Sequence, residues 1–457
     1  MNFRKIRFLI ILPLILSAPL SLHADDDLPP LPKGPLLLTS VTPEQLKPDY
    51  WIAKLSDPDR VLKTPEQLKV LNDDTFAIVK DQVDIFKLPL KKKGEMIREV
   101  IQREYETIKG RKLFDPDDVY YRPEFFEVEI KPVMQWDKIP EKIEMKWGVA
   151  VKAASVRALP TDVEMLEQKK DIEFDQLQFT QIKTCTPVGI FHTSNDGKWF
   201  YIQAPYARGW VKAEDIAIFP TRDELKKVIQ QKSFLVVTGE SILVYADETF
   251  RKEFQAPSMG SILPLAEKTE AAYVILLPVR GADGAASMEK KYIRLTDDVS
   301  TKFPAFTQKN IIRQAFKLLG ARYGWGGMYN GRDCSGFTQD VFLSLGVAMP
   351  RSSKGQAFIG TQLGYFEYKG DTDAKKEMLN AAIPGITILR MPHHMMLYLG
   401  QENGQYYVIH CTWAERYSMT SDDKNRINQV VVSDLNLNGR SYLGPLFERI
   451  ISANEID

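Results

Sequence analysis

The chain has 457 residues, room for three or four domains at about 100–200 residues each. Hydrophobic residues make up 44% of it, which excludes a disordered chain and is enough for real cores. Sixty Lys and Arg balance sixty Asp and Glu, so no net field recommends nucleic acid or an anionic membrane surface as a partner.

The N-terminus has the pattern of an export signal over residues 1–24. Arg4, Lys5 and Arg7 precede an apolar run from Phe8 to Leu16, and Leu22-His23-Ala24 offers a cleavage site before Asp25-Asp26-Asp27. The run is short and broken by Pro13 and Pro19, whereas a spanning helix needs about 20 apolar residues. An uncleaved anchor is the alternative. No cysteine lies near the site, so a lipoprotein anchor is excluded. The mature chain is expected outside the cytoplasm, periplasmic or secreted, with no membrane partner after cleavage.

An acidic and then proline-rich stretch from Asp25 to Pro35 reads as a tether. Thr42-Pro43-Glu44-Gln45 and Thr64-Pro65-Glu66-Gln67 each set Thr at the N-cap, Pro at N1 and Gln at N3, the capping-box arrangement. In Glu95–Lys109, Ile97, Val100, Ile101 and Ile108 fall near one face, and Gly110 is a natural stop. Residues 25–140 are therefore expected to be a mainly helical region. The Lys91-Lys92-Lys93 run is expected to be solvated surface.

The texture changes near Trp147. Alternation over Val149–Val156 is followed by short β-type runs at Pro187–Thr193, Trp199–Gln203 and Gly209–Lys212, with Asn195-Asp196-Gly197 as a hairpin turn. A second β-rich block has its clearest strands at Ser241–Tyr245, Ser261–Leu265, Tyr273–Val279 and Tyr292–Leu295. Short strands with close turns suggest two small barrels, over 141–222 and 223–300.

Residues 301–457 read as an α+β domain. Ile311, Ile312, Ala315, Phe316 and Leu319 share a helical face that ends at Gly320. The loop Gly324-Trp325-Gly326-Gly327 lacks both the Lys-Ser/Thr ending and the preceding strand of a phosphate loop. A helix then fits Cys334 to Leu345, with Asp333 at the N-cap and Gly346 after it. Strands Met395–Leu399 and Gln405–Cys411 follow.

The chain has five histidines and three cysteines, and His393, His394 and His410 share this last domain with Cys334 and Cys411. Such clustering in a His-poor chain is itself a site hypothesis. A cysteine attacks as thiolate, and a helix N-terminus favours that anion. Asp333 partly opposes it, so an imidazolium nearby would have to outweigh Asp333; Cys–His pairs reach pKa values of roughly 3–4. A buried inert thiol is the alternative. On a strand, His394, Met396 and Tyr398 share one face. A two-residue Asn403-Gly404 turn would put His410 on the opposite face. A three-residue Glu402-Asn403-Gly404 loop would put it diagonal to His394, in reach of its ring, and this loop is the one expected. His410 would then orient His394 as in a nucleophile–base–orienter triad. Cys411 faces the core, and His393, after Pro392, reads as a loop residue. A zinc site built from these five residues has poor tetrahedral geometry because adjacent ligands alternate faces. No metal and no cofactor are expected.

These motifs, Tyr323-Gly324-Trp325-Gly326-Gly327, Asp333-Cys334-Ser335-Gly336-Phe337, Pro350-Arg351-Ser352-Ser353 with Gln356, His394 to Gly400 and His410, resemble the NlpC-type papain-like cell-wall peptidases over roughly 300–457. Arg157-Ala158-Leu159-Pro160-Thr161, Asp196-Gly197-Lys198-Trp199 and Arg208-Gly209-Trp210-Val211 are similar to a bacterial SH3 domain, and the segment from about Asp49 to Asn72 resembles the helical stabilising region of multi-domain members. The resemblance implies Cys334 as nucleophile, His394 as general base and acid, and His410 as orienter. It implies Asp333, Ser335 and Ser353 as binders of the free amino end and the D-glutamyl part of a peptidoglycan stem peptide, with Tyr323 near the oxyanion. The implied reaction is hydrolysis of the γ-D-glutamyl–L-diamino-acid bond through a thioester. Asp333 would pair with a free ammonium and so select trimmed peptides, and Tyr206 and Arg208 would wall the cleft unless they are ordinary surface. Two positions depart from the family: Met395 and Met396 follow His394, and Ser352 replaces an acidic residue common there. A papain-like acyltransferase and a non-catalytic wall-binding protein are the other classes open to this sequence.

Overall fold

The computed structural model describes residues 34–169 and 171–457. The expected signal segment, His23 and most of the tether lie outside them. Among the described residues no helix is long and apolar enough to cross a membrane.

The two N-terminal capping boxes have different outcomes. Thr64 caps α1 (Pro65–Ile78) with both reciprocal bonds, Gln67 N–H to Thr64 Oγ1 at 3.3 Å and Thr64 N–H to Gln67 Oε1 at 2.8 Å. At Thr42 only the Gln45 half forms, at 2.8 Å, and the chain makes a single 3-10 turn over Glu44–Leu46. Lys47 is extended right behind that turn, and a separate short helix, Pro48–Ile52, starts after it. Helix α2 (Gly94–Lys109) buries Ile97, Ile101, Tyr105 and Ile108. Lys91–Lys93 is a short strand paired with Lys142–Glu144, a role its charge run concealed.

The helical segment divides between two cores. Trp51, Ile52, Leu68 and Leu71 join the core of the C-terminal domain, while Ile97, Ile101 and Tyr105 join that of the first β block. The Glu402 carboxylate pins the first part down, accepting from Tyr50 at 2.5 Å, Lys54 at 2.6 Å and Gln45 at 2.8 Å.

Each β block is one seven-stranded antiparallel sheet. The first spans Lys146–Ala150 to Ile216–Phe219 and the second Phe234–Val237 to Val299–Ser300. The strand expected at Tyr292–Leu295 is longer, Ala286–Arg294, paired along its length with Ala272–Arg280.

The C-terminal domain sets α3 (Gln308–Lys317) and α4 (Cys334–Leu343) against a six-stranded antiparallel sheet. Its strands are β1 (Thr361–Tyr365), β2 (Thr387–Met391), β3 (His394–Glu402), β4 (Gln405–Arg416), β5 (Lys424–Asp434) and β6 (Ser452–Glu455), in the order β1-β6-β2-β3-β4-β5. Phe337, Val341 and Phe342 of α4 share one core with Leu397, Ile409 and Val431.

The β3–β4 hairpin corrects the expected loop. Glu402 pairs with Gln405, so the turn has two residues, Asn403 at φ 50° and Gly404 at φ 77°, the left-handed pair of a tight hairpin. That turn alone would put His410 on the wrong face. Between Tyr398 and Gly400 the register shifts by one residue, so Leu399 is an extra, bulged residue and Gly400 adopts φ 125°. The bulge turns His410 back to the side of His394.

Candidate active site

The site begins at the start of α4. Asp333 caps it through the Gly336 N–H at 2.8 Å, as its sequence position foretold. Its second oxygen takes the Gly326 N–H at 3.1 Å, which ties the glycine loop to the helix. Gly326 sits at φ 55° and Gly327 at φ 86°, a curl that β-carbons would disfavour. Arg351 then forks onto Asp333, Nη1 to Oδ1 at 3.0 Å and Nη2 to Oδ2 at 2.5 Å. The same guanidinium reaches Ser335 Oγ at 2.9 Å and, through Nε, Thr180 Oγ1 of the first sheet at 2.7 Å. Burial pushes the Asp333 carboxyl up, but the Arg351 charge and the hydrogen bonds outweigh it and hold it below its ordinary value.

The two Asp333 oxygens accept from Gly336, Ser335, Gly326 and both Arg351 nitrogens, so a substrate ammonium at Asp333 would have to share or replace one of these bonds. Ser335 is buried between Asp333 and Arg351. Ser353 opens a short helix, half-buried, while Ser352 caps that helix through the Gly355 N–H at 3.1 Å.

Cys334 is the first residue of α4 and half-buried. Its Sγ lies over the start of β3, 3.9 Å from the His393 carbonyl oxygen and next to the Met395 N–H. The thiol thus brackets the backbone on both sides of His394. The His394 ring points along the sheet: its Nε2 is 2.7 Å from His410 Nδ1, and His410 Nε2 is 3.0 Å from Ser433 Oγ. The two rings meet edge to face, centroids 4.9 Å apart. With Nε2 engaged, Nδ1 is the nitrogen of His394 left for a proton donor.

Burial, and then the Asp333 charge, raise the Cys334 thiol to about 12. Burial, and then the Arg449 charge, lower His394 to about 3, and His410 is held well down by burial and by His394. Burial thus works against both the thiolate and the imidazolium.

The other candidates divide. His393 is exposed in the β2–β3 turn at φ 62°. Cys411 is buried, its Sγ 3.0 Å from the Arg332 carbonyl. Met395 and Met396 are fully buried. Among the described residues no group of three His, Cys, Asp or Glu side chains could hold a metal ion. Tyr323 is buried, its phenol raised by burial and then by the charge Cys334 would carry. Phe174, from a loop of the first sheet, stacks against Tyr323, Trp325 and Trp413, with centroids 5.2 to 6.1 Å away. Neighbouring Glu173 accepts from Trp413 Nε1 at 2.7 Å. Tyr206 and Arg208 line a pocket of about 360 Å³ with Ser352 and Glu104. Tyr206 is buried rather than surface.

Sequence reasoning missed Arg351, Ser433, Glu104 and Phe174 as parts of this site. Arg351 stood inside a recognised motif, and an unpaired Asp at a helix N-cap was a signal to look for its cation. Nothing local to Ser433 marked it.

A helix-borne thiol over a sheet-borne imidazole, itself held by a third side chain, is the papain-like arrangement. Residues 320–433 match the NlpC/P60 family, and residues 165–212 match an SH3 domain of the SH3b1 type; the second β block has no such match among them. The C-terminal domain is thus similar to the NlpC/P60 family, and part of the first β block to an SH3-type domain. It is 28% identical over 185 residues to the gamma-D-glutamyl-L-lysine dipeptidyl-peptidase of Bacillus cereus, covering 40% of this chain and 51% of that one. It is 39% identical over 62 residues to a "Probable endopeptidase" of Corynebacterium glutamicum, covering 13% and 30%. The chain thus spans about half or less of the length of these relatives. An NlpC/P60 endopeptidase from Photobacterium damselae subsp. piscicida shares the fold, with a TM-score of 0.73 over 93% of this chain and 99% of that one at 19% identity.

Proposed function

We propose that this protein is an exported cysteine peptidase that hydrolyses the γ-D-glutamyl–L-diamino-acid bond of peptidoglycan stem peptides. The observation that carries the reading is the chain His394–His410–Ser433 on strands whose start lies against the thiol of α4. Of the two proton arrangements these bonds allow, one leaves His394 able to act as base. His394 Nε2–H donates to His410 Nδ1, His410 Nε2–H donates to Ser433 Oγ, and His394 Nδ1 is left basic. Substrate entry brings the carbonyl to Cys334 as His394 takes the thiol proton, so charge separates only during attack. The sulfur bonds to the D-glutamyl γ-carbonyl carbon. His394 returns the proton to the leaving amine, and water, activated by the same ring, hydrolyses the thioester. The free N–H groups at the start of α4 and the Tyr323 hydroxyl favour the oxyanion.

Ser353 is assigned to the D-glutamyl part. Selection for a free amino end passes from Asp333 to Glu104, whose carboxylate lines the pocket that Ser352 borders. The test is mass spectrometry of products from a defined muropeptide mixture. Wild-type protein is expected to release the diamino-acid portion, and Cys334→Ala to release none. Cleavage that persists in Cys334→Ala, or that falls at another bond, refutes the proposal.

A further inference from the structure

Different parts of the chain fix the two halves of the β3–β4 hairpin. The half that carries His394 lies in the domain core, with Met395, Met396 and Leu397 fully buried. In the other half, from Gly400 around the turn to Tyr407, Gln401, Asn403, Gly404 and Gln405 are exposed. The bulge at Leu399 joins the two. Without it the two-residue turn would set His410 opposite Leu397; with it Leu397 stands opposite Ile409. A slip of one residue reverses every face, and the Asn403-Gly404 turn is the same in both registers. A bulge also interrupts the ladder, so contacts outside the turn have to keep it.

The arm of residues 44–54 supplies such contacts at two points. Glu402, next to the turn, accepts from Gln45, Tyr50 and Lys54. Trp51 is buried against Tyr407, ring centroids 5.3 Å apart, and Tyr407 is the residue paired with Gly400 at the bulge. Trp51 Nε1–H donates to the Gln45 carbonyl at 2.8 Å, which ties the two points to each other. Tyr406, on the opposite face of the strand, donates to Asn380 at 2.9 Å and stacks on Phe447; the arm covers the Tyr407 face.

We propose, on the reading of His394 as base and His410 as its orienter, that residues 44–54 are a positioning clamp for the two imidazoles. Glu402 and Trp51 hold the turn half of the hairpin so that the bulge persists and His410 stays behind His394. Kinetics and imidazole NMR on the full-length protein test the clamp. In Glu402→Ala, assayed below its own Tm, kcat on stem peptides should fall at least about tenfold with KM within about twofold of wild type, since a displacement of about 1 Å can cost about 100-fold. Glu402→Gln, which keeps an acceptor for Tyr50 and Lys54, should restore most of the loss. In protein carrying isotope-labelled histidine, the ring signals of His394 and His410 should move in Glu402→Ala and return in Glu402→Gln. Should wild-type protein cleave no stem peptide, the peptidase reading fails and the ring signals alone decide the clamp. Should Glu402→Ala fail to fold, the double variant Tyr50→Phe, Lys54→Met, which removes both donors to Glu402 Oε1, takes its place. An unchanged kcat, a change confined to KM, or unmoved ring signals in a folded variant overturns the proposal.

Discussion

Replacing Arg351 with methionine tests whether Asp333 is a buried anion held by one cation. The two side chains are 12% and 9% exposed. Breaking a buried pair from one side costs about 3–5 kcal/mol because a charge is stranded, whereas an exposed pair costs under about 1 kcal/mol. Arg351→Met also removes the contacts to Ser335 and Thr180, so the upper part of the range is expected. For a unit of this size that corresponds to a fall in Tm of roughly 6–20 °C. The pH dependence follows from the sign of the shift. In the wild type the Asp333 carboxyl is held low, so the stability it contributes is present above the ordinary carboxylate range and is lost as pH falls through the lowered value. In Arg351→Met the largest lowering cause is gone, burial is opposed only by the Gly336 and Gly326 hydrogen bonds, and the carboxyl rises. Protonation then relieves the stranded charge, and the gap to wild type narrows between neutral pH and about pH 4. Urea unfolding followed by tryptophan fluorescence at pH 7.5, 5.5 and 4 measures it. A loss below about 1 kcal/mol at pH 7.5, or a gap that widens in acid, refutes the account.

Ser433→Ala strands the His410 Nε2–H and frees the wrong tautomer; kcat should fall about 10–100-fold with KM unchanged, the usual effect of losing an orienting partner, and an unaltered kcat would remove Ser433 from the mechanism. Gly400→Ala has room for its methyl, with Pro384 Cγ nearest at 3.5 Å, so its cost is the backbone at φ 125°, about 1–3 kcal/mol. Activity should fall with stability as the bulge relaxes and the two imidazoles part; full activity would show that the bulge does not set the register. Glu104 is raised to about 7 by burial, against the opposing hydrogen bond from Tyr201. The stability tied to it is therefore full below the ordinary carboxyl range and lost as pH rises through about 7. Glu104→Gln should unfold at a higher temperature than wild type at pH 8 and at the same temperature at pH 5. It should also lower kcat/KM for stem peptides with a free amino end while leaving N-acetylated ones unaffected; equal effects on both would exclude Glu104 as the amine receptor.

Much of this protein was legible along the chain because the relevant physics is local. Capping is decided within four residues, so Thr64 and Asp333 announced their helices. Alternation over a few residues marked the strands that carry His394 and His410, and the clustering of His and Cys in one domain marked the site. The hairpin shows where that legibility ends. Asn403-Gly404 forms a two-residue turn where a three-residue loop was expected, and the bulge at Leu399 and Gly400, which decides the face of His410, was not anticipated.

The sequence by itself marked which side chains are candidates for chemistry, because reactivity resides in residue type and in the helix or strand that carries it. Only the tertiary structure decided what surrounds them. Arg351 closes on Asp333, Ser433 completes the imidazole chain and Phe174 reaches in from another domain, all from positions far off in the chain. Enclosure by those elements removes water from the thiol and the imidazole. Desolvation is a property of everything packed around a group, so the burial that works against charge on Cys334 and His394 had no counterpart in any local stretch of sequence.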